Sequence, residues 1–170
     1  MNLFTGEAAD EFFGGDVPTA VREIMHRASL SPRQEVGSLL WTAQALAPQC
    51  LAIYYTLYKH HAGLRELDQA QRAAQRGLEE AARQAGLPAD WRTVAPGQPA
   101  GINFSDNGPA RFWLFTLKAL AFIGVRQQQP EVARALLQKI ATLEPNAGMG
   151  DDVIRSLLDV LGPAPDDPRG

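Results

Sequence analysis

Residues 48–81, PQCLAIYYTLYKHHAGLRELDQAQRAAQRGLEEA, decide the fold of this 170-residue chain. Its first half predicts an aromatic-rich helix over about 49–62, with Gly63 as its C-cap. Its second half begins a longer helix over about 65–85, whose apolar residues recur at helical spacing. They are Leu67, Ala70, Ala74, Leu78 and Ala81. A single pair of helices cannot bury its own apolar face, so the stretch predicts a helical hairpin stacked on neighbours.

The stretch resembles a tetratricopeptide repeat (TPR), a 34-residue hairpin of two antiparallel helices. With Pro48 as the proline that closes one repeat, the characteristic positions of the next repeat fall on Tyr54, Leu57, Ala70 and Leu78. A second repeat is fixed by its closing residues 143–145. Its matching positions are Leu117, Leu120, Ala121, Ala133 and Leu137. The resemblance covers residues 17–84 and 110–146, and it implies an all-α, right-handed superhelix of stacked hairpins with a C-terminal capping helix.

The match departs from the repeat at several positions. The slot for a small residue at the helix crossing holds Tyr58, and another characteristic slot holds His61 in one repeat and Gly124 in the other. The chain is therefore TPR-like.

The domain organisation follows from where helical periodicity stops. A chain of this length with 45% apolar residues suits one domain, here residues 1–161. The segment 87–108 is rich in Pro and Gly and has no periodicity, so we expect an irregular insert. A capping helix is expected at about 150–161, followed by a disordered acidic tail over 162–170.

Several classes of protein are excluded or disfavoured by composition. No stretch approaches the ~18–20 consecutive apolar residues of a membrane span. The first residues, MNLFTGE, carry no basic region or apolar core of a signal peptide, which favours a cytoplasmic location. A single cysteine, Cys50, excludes an internal disulfide and a cysteine-based metal cage.

Charge is distributed unevenly along the chain. Residues 1–16 and 144–170 each carry a net charge of −4, whereas 17–143 hold fourteen Lys/Arg against nine Asp/Glu, a net charge of +5. A pI near 5.6 and the lack of a basic stripe interleaved with aromatics argue against nucleic acid as a partner. The charge pattern fits acidic, solvated ends, or alternatively a mildly basic surface that meets an acidic partner.

Catalytic and metal-binding motifs are missing from the sequence. There is no HExxH, phosphate-binding glycine loop, GxSxG or paired-cysteine spacing. His60 and His61 are adjacent, and on a helix adjacent side chains diverge by about 100°, so we expect no shared metal. We predict that the chain is not an enzyme and needs neither a metal nor a cofactor.

The TPR resemblance implies a binding groove lined by the first helix of each hairpin. It selects Tyr55 and Lys59 in one helix, and four residues of the other: Phe115, Lys118, Phe122 and Arg126. Aromatics with cations suit a peptide or protein partner that carries an acidic group or a free carboxylate. The asparagines of the carboxylate-clamp TPR pattern are absent, and Tyr55, Phe115 and Phe122 have an alternative interpretation as core residues.

Lys118 and the 87–108 insert are expected to act together. A lysine among mostly apolar residues must pair, extend to the surface or face an opening, because an unpaired buried charge is costly. The insert carries Trp91 and Phe104 as apolar anchors that would lean over the groove. The alternative is that these anchors fill a gap between the hairpins on the outer face.

The leading functional hypothesis is a non-catalytic protein-interaction module, acting as scaffold, adaptor or chaperone. One alternative is a small-ligand or lipid-binding protein with an apolar pocket beneath the insert. Another comes from residues 111–122, RFWLFTLKALAF, which resemble a segment of small bacterial TPR-like proteins that accompany nitrogen-fixation genes. That resemblance implies an accessory factor for maturation or regulation of a nitrogenase-type metalloenzyme. A homodimer is a further alternative.

Overall fold

The computed structural model describes residues 17–105 and 108–144, together with Ser156 and Asp159. Over this part of the chain there are six α-helices and one short 3-10 turn and no strand, which confirms the all-α prediction. The helices are α1 (Thr19–Ser29), α2 (Arg33–Leu46), α3 (Leu51–Gly63), α4 (Leu67–Ala85), α5 (Gly108–Arg126) and α6 (Pro130–Leu143). None of the described helices is long and apolar enough to cross a membrane.

Consecutive helices pack against one another in chain order. Helix α1 packs on α2 and α2 on α3, while α4 lies against both α3 and α5, and α6 closes on α5. Helix α3 also contacts α5 directly. Stacked hairpins require this order, because the second helix of one hairpin must touch both helices that flank it. The right-handed superhelix itself stays a prediction.

The core centres on α5, whose apolar side chains surround it almost completely. Phe112, Trp113, Leu117 and Ile123 are all buried, with at most 2% exposed. Helix α5 must therefore be covered on all sides, which α3, α4, α6 and the segment before it accomplish.

That segment, residues 87–105, is irregular but packed. Its only helical element is the 3-10 turn Trp91–Thr93. Leu87 and Val94 are buried, and Lys139 Nζ of α6 donates to the Val94 carbonyl at 2.6 Å. The segment is thus anchored to α6 as well as to the core.

The predicted capping helix and tail lie almost entirely outside the described residues. Ser156 and Asp159, the two described positions in that region, are both helical.

Close helix contacts occur where the sequence places its smallest residues. A Cβ added to Gly77 would lie 2.8 Å from Tyr54 Cβ and 3.2 Å from Phe112 Cε1. A Cβ added to Gly124 would lie 3.5 Å from the Cβ of Ala133. Gly77 therefore lets α4 approach α3 and α5 together, and Gly124 with Ala133 does the same for α5 and α6.

Substitution Gly77→Ala should destabilise the protein by roughly 1–3 kcal/mol, because the overpacking outweighs the gain in helix propensity. Denaturant unfolding measures the change. Gly63→Ala is the matched control, since an added Cβ there meets nothing within 4 Å. Equal stability of the two variants would contradict the close contact at Gly77.

Two hydroxyls are buried between α3 and α5 without a hydrogen-bond partner of acceptable geometry among the described residues. They belong to Tyr58 and Thr116. Burial raises the pKa of Tyr58, and the nearby Thr116 hydroxyl acts in the opposite direction. Tyr54 lies in α3 with Tyr58. Its hydroxyl donates to the Pro48 carbonyl at 2.6 Å and accepts from Gln44 at 3.2 Å. The two tyrosines therefore differ in how well their hydroxyls are satisfied.

Substitution Tyr58→Phe should leave stability unchanged or raise it by up to about 1 kcal/mol, because it removes an unsatisfied buried hydroxyl. Tyr54→Phe should cost about 1 kcal/mol, because it removes two hydrogen bonds. Paired thermal unfolding curves compare them. A larger loss for Tyr58→Phe than for Tyr54→Phe would show that the Tyr58 hydroxyl is satisfied.

Candidate functional site

The side chains predicted to bind a partner form an aromatic–cation strip along α3 and α5. The strip comprises Tyr55, Lys59, Phe115, Phe122 and Arg126. The rings of Tyr55 and Phe115 lie 5.7 Å apart between their centroids, which joins the two helices. Lys59 Nζ lies 5.6 Å from the centre of the Tyr55 ring, and the Arg126 guanidinium lies 5.6 Å from that of Phe122.

The strip is neither wholly core nor wholly surface. Tyr55 and Phe115 are half-buried at the edge of the core, whereas Lys59 and Arg126 are exposed. Phe122 is 38% exposed, so part of its ring is open to solvent. Residues seven apart lie on one side of a helix, so Phe122 follows Phe115 two turns further along α5. The helices therefore place three aromatic rings and two cations on this strip.

Lys118 has a partner within its own chain. Its Nζ lies 2.6 Å from Glu144 Oε2, and the two side chains are 13% and 22% exposed. Glu144 immediately follows α6, so the ion pair ties the end of α6 back to α5. The acidic group predicted for a partner is supplied here by the protein itself.

A small pocket of about 120 Å³ lies beside this ion pair. Phe104, Phe115, Lys118 and Glu144 are among the residues that line it. Lys118 thus borders an opening, as expected of a lysine in an apolar helix. Phe104 also packs on Trp113, with ring centroids 5.7 Å apart.

The two predicted loop anchors differ in position. Phe104 reaches the Lys118 pocket, but Trp91 is not among the residues that line it. Trp91 is half-buried against the core, and the Arg92 guanidinium lies 4.5 Å from the centre of its ring. The structure therefore brings one anchor to Lys118 and leaves the other to pack elsewhere.

A second polar cluster, formed by Trp41, His60, His61 and Glu66, was not predicted. Trp41 Nε1 lies 3.0 Å from His61 Nε2, and His61 Nδ1 lies 3.2 Å from Glu66 Oε1. An indole N–H can only donate, so His61 Nε2 must accept. The proton of neutral His61 is consequently on Nδ1, which donates to Glu66.

Local backbone geometry assembles this cluster. Helix α3 ends at Gly63, Arg65 adopts a positive φ of 61°, and Glu66 N then donates to the His61 carbonyl at 2.9 Å. The reversal places the Glu66 carboxylate beside the His61 ring. On α2, a Cβ added to Gly37 would lie 3.3 Å from His61 Cε1, so this glycine admits the ring.

The cluster borders an open pocket of about 600 Å³. Arg33 lines it too, and the guanidinium groups of Arg72 and Arg76 lie 5.2 and 5.6 Å from the centre of the Trp41 ring. Burial lowers the pKa of His60, as do the neighbouring His61 and Arg33, while Glu66 acts in the opposite direction. His60 is therefore held toward its neutral form, in which one ring nitrogen can accept a hydrogen bond or bind a metal and the other carries a proton.

The expectation that His60 and His61 share no metal stays a prediction, but the two rings lie near one another in the structure. Their ring centroids lie 5.1 Å apart, and one potential ligand atom from each of His60, His61 and Glu66 lies within 4.8 Å of the others. The histidines belong to the last turn of α3, where the side chains converge on the reversed chain. Sequence spacing alone omits Glu66 because it lies beyond the end of the helix.

Comparison with known proteins finds one relative of similar length. The chain is 28% identical over 161 residues, covering 95% of this chain and 89% of the relative, to an uncharacterized 19.8 kDa protein in the nifW 5′ region of Azotobacter chroococcum mcd 1. No protein-family model matches the chain. No solved structure matches it either.

Removing one partner of the Lys118–Glu144 ion pair should destabilise the protein, because the other charge stays partly buried. We expect Lys118→Met to cost about 1–3 kcal/mol in free energy of unfolding. The double variant Lys118→Met/Glu144→Gln should cost less than the sum of the two single variants, as a double-mutant cycle by urea unfolding would reveal. Additive losses would mean that the pair contributes no coupling energy.

Proposed function

We propose that this chain is a non-catalytic accessory protein of nitrogen fixation that acts by binding a protein partner. The assignment to nitrogen fixation rests on the relative, which matches nearly end to end and lies in a nif gene region. The resemblance of residues 111–122 to TPR-like proteins that accompany nitrogen-fixation genes supports the same process. We place the protein's role in maturation or regulation of the metalloenzyme of this process.

The aromatic–cation strip is the surface that we assign to the partner. Aromatic residues and arginine are enriched at protein interfaces, and Tyr55 and Phe115 already contact one another across α3 and α5, with their rings tilted by 48°. Phe122 offers exposed apolar area beside them. These features support a docking surface on this side of α3 and α5.

Charge selects the partner's chemistry. Lys59 and Arg126 are exposed cations at the strip, so an acidic segment or a terminal carboxylate on the partner would find two hydrogen-bonding charges there. Lys118 is already paired with Glu144. Its contribution is therefore to hold α5 and the end of α6 in place beneath the strip.

The volume of the pocket beneath the insert gives less support to a role in binding a small ligand or a lipid. The pocket that Phe104 and Lys118 share has a volume of about 120 Å³. Pockets for drug-sized ligands occupy about 300–1,000 Å³. This space suits a single small group such as a carboxylate, and that favours the protein-binding interpretation.

The proposal is tested by producing the tagged protein in nitrogen-fixing bacterial cells and capturing it, with quantitative mass spectrometry of the recovered proteins. The strip variant Lys59→Ala/Arg126→Ala should recover the partner at least about tenfold less well than the wild type, because ~1.4 kcal/mol of binding energy corresponds to that factor. The control variant Arg27→Ala/Arg83→Ala removes the same charge from exposed positions of α1 and α4 and should bind normally.

The two parts of the proposal can fail separately. Capture of proteins unrelated to nitrogen fixation would contradict the assigned process. Recovery of a nitrogen-fixation protein that is equal for the strip and control variants would contradict the assigned surface.

A further inference from the structure

We propose that His60, His61 and Glu66 form a binding site for one divalent transition-metal ion of the zinc class. The potential ligand atoms of these three residues lie within 4.8 Å of one another. Two imidazoles and a carboxylate are a donor set that zinc takes in three-ligand sites with an open fourth position. The proposal is independent of the partner surface on α3 and α5.

The pair His61–Glu66 already has a separation that suits a shared ion. His61 Nδ1 and Glu66 Oε1 are 3.2 Å apart. With metal–ligand bonds of about 2.0–2.1 Å, that separation gives an angle of about 100° at the ion, close to tetrahedral. The ion would replace the proton that now lies between these two atoms.

His60 supplies the third ligand. It adjoins His61 at the end of α3 and is half-buried. Ligand atoms of a tetrahedral site lie about 3.3 Å apart, so the His60 side chain must turn inward to complete the set. The fourth position faces the pocket of about 600 Å³, which leaves room for water or for a group from a bound molecule.

Trp41 competes with the ion. Its N–H donates to His61 Nε2 at 3.0 Å, which requires the proton of His61 to be on Nδ1. When the metal takes the lone pair of Nδ1, that proton moves to Nε2, and two N–H donors then point at one another. The indole must turn away, so ion binding breaks the Trp41–His61 hydrogen bond.

The surrounding charges also affect the free energy of ion binding. Arg33 lines the same pocket, and the guanidinium groups of Arg72 and Arg76 lie 5.2 and 5.6 Å from the centre of the Trp41 ring. These cations oppose a bound dication, and the Glu66 carboxylate offsets one charge. An anionic fourth ligand would therefore bind more readily to the ion-loaded protein than to the free protein.

The test is isothermal titration of the full chain, without a polyhistidine tag, with Zn²⁺ at pH 7.5. We expect one ion per chain. His60→Ala and Glu66→Gln should each weaken binding at least about tenfold, the lower end of what loss of a group supporting a metal site costs. His26→Ala, which removes an exposed histidine from α1, should bind like the wild type.

Trp41→Phe tests the competition directly. Because it removes the donor that must be displaced, it should bind Zn²⁺ more tightly than the wild type. Substituting Co²⁺ for Zn²⁺ provides a second readout, since intense visible absorption reports tetrahedral coordination without relying on tryptophan fluorescence. Circular dichroism of each variant verifies that it is folded.

The proposal is overturned if the wild type takes up no stoichiometric ion, or if His60→Ala and Glu66→Gln keep its affinity. It is also overturned if His26→Ala alone removes binding. Weaker binding by folded Trp41→Phe would refute the competition with the indole.

Discussion

The rest of the structure depends on helix α5, which has apolar side chains around almost its whole circumference. A helix of this kind is stable in water only when other elements cover every side of it. Helices α4 and α6 flank it, and α3 touches it along the strip. Residues 87–105 add Val94, Ile102 and Phe104 to the same core, and Phe104 packs on Trp113 of α5. Each of these elements has its own apolar face, so covering α5 also determines where they lie.

Such dense packing leaves little room for polar groups, and the chain accommodates them in distinct ways. Lys118 lies at the edge of the core, where it pairs with Glu144. Gly77 and Gly124 remove side chains where helices meet. Tyr58 and Thr116 keep hydroxyls that lack a partner among the described residues. The last case is a local cost that the packing of α3 against α5 imposes, and burial of the large tyrosine ring offsets it.

Helical periodicity and the positions of small residues were enough to predict the helices of 48–85 and their neighbours, because both depend on local spacing. The strip is selected by the TPR resemblance, which assigns a groove to the first helix of each hairpin, and local spacing then places Tyr55 with Lys59 and Phe122 with Arg126 four residues apart on one helix. Contacts between distant residues could not be predicted in this way. Glu144 pairs with Lys118 across 26 residues, and Trp41 reaches His61 across 20, in a different helix. Neither contact leaves a periodic signal.

Lys118 and His61 differ in how their contacts can change when a ligand binds. Both are satisfied within the chain, Lys118 by a carboxylate and His61 by an indole and a carboxylate. The ammonium of Lys118 offers only hydrogen-bond donors, so its contact with a carboxylate can only be kept or exchanged. The imidazole of His61 can shift its proton between two nitrogens, so each of its contacts constrains the other. A ligand that engages one nitrogen must therefore change the contact at the second. Trp41 belongs to α2 and Glu66 to the turn after α3. Such a change would therefore alter the contacts of both helices that border the pocket of about 600 Å³.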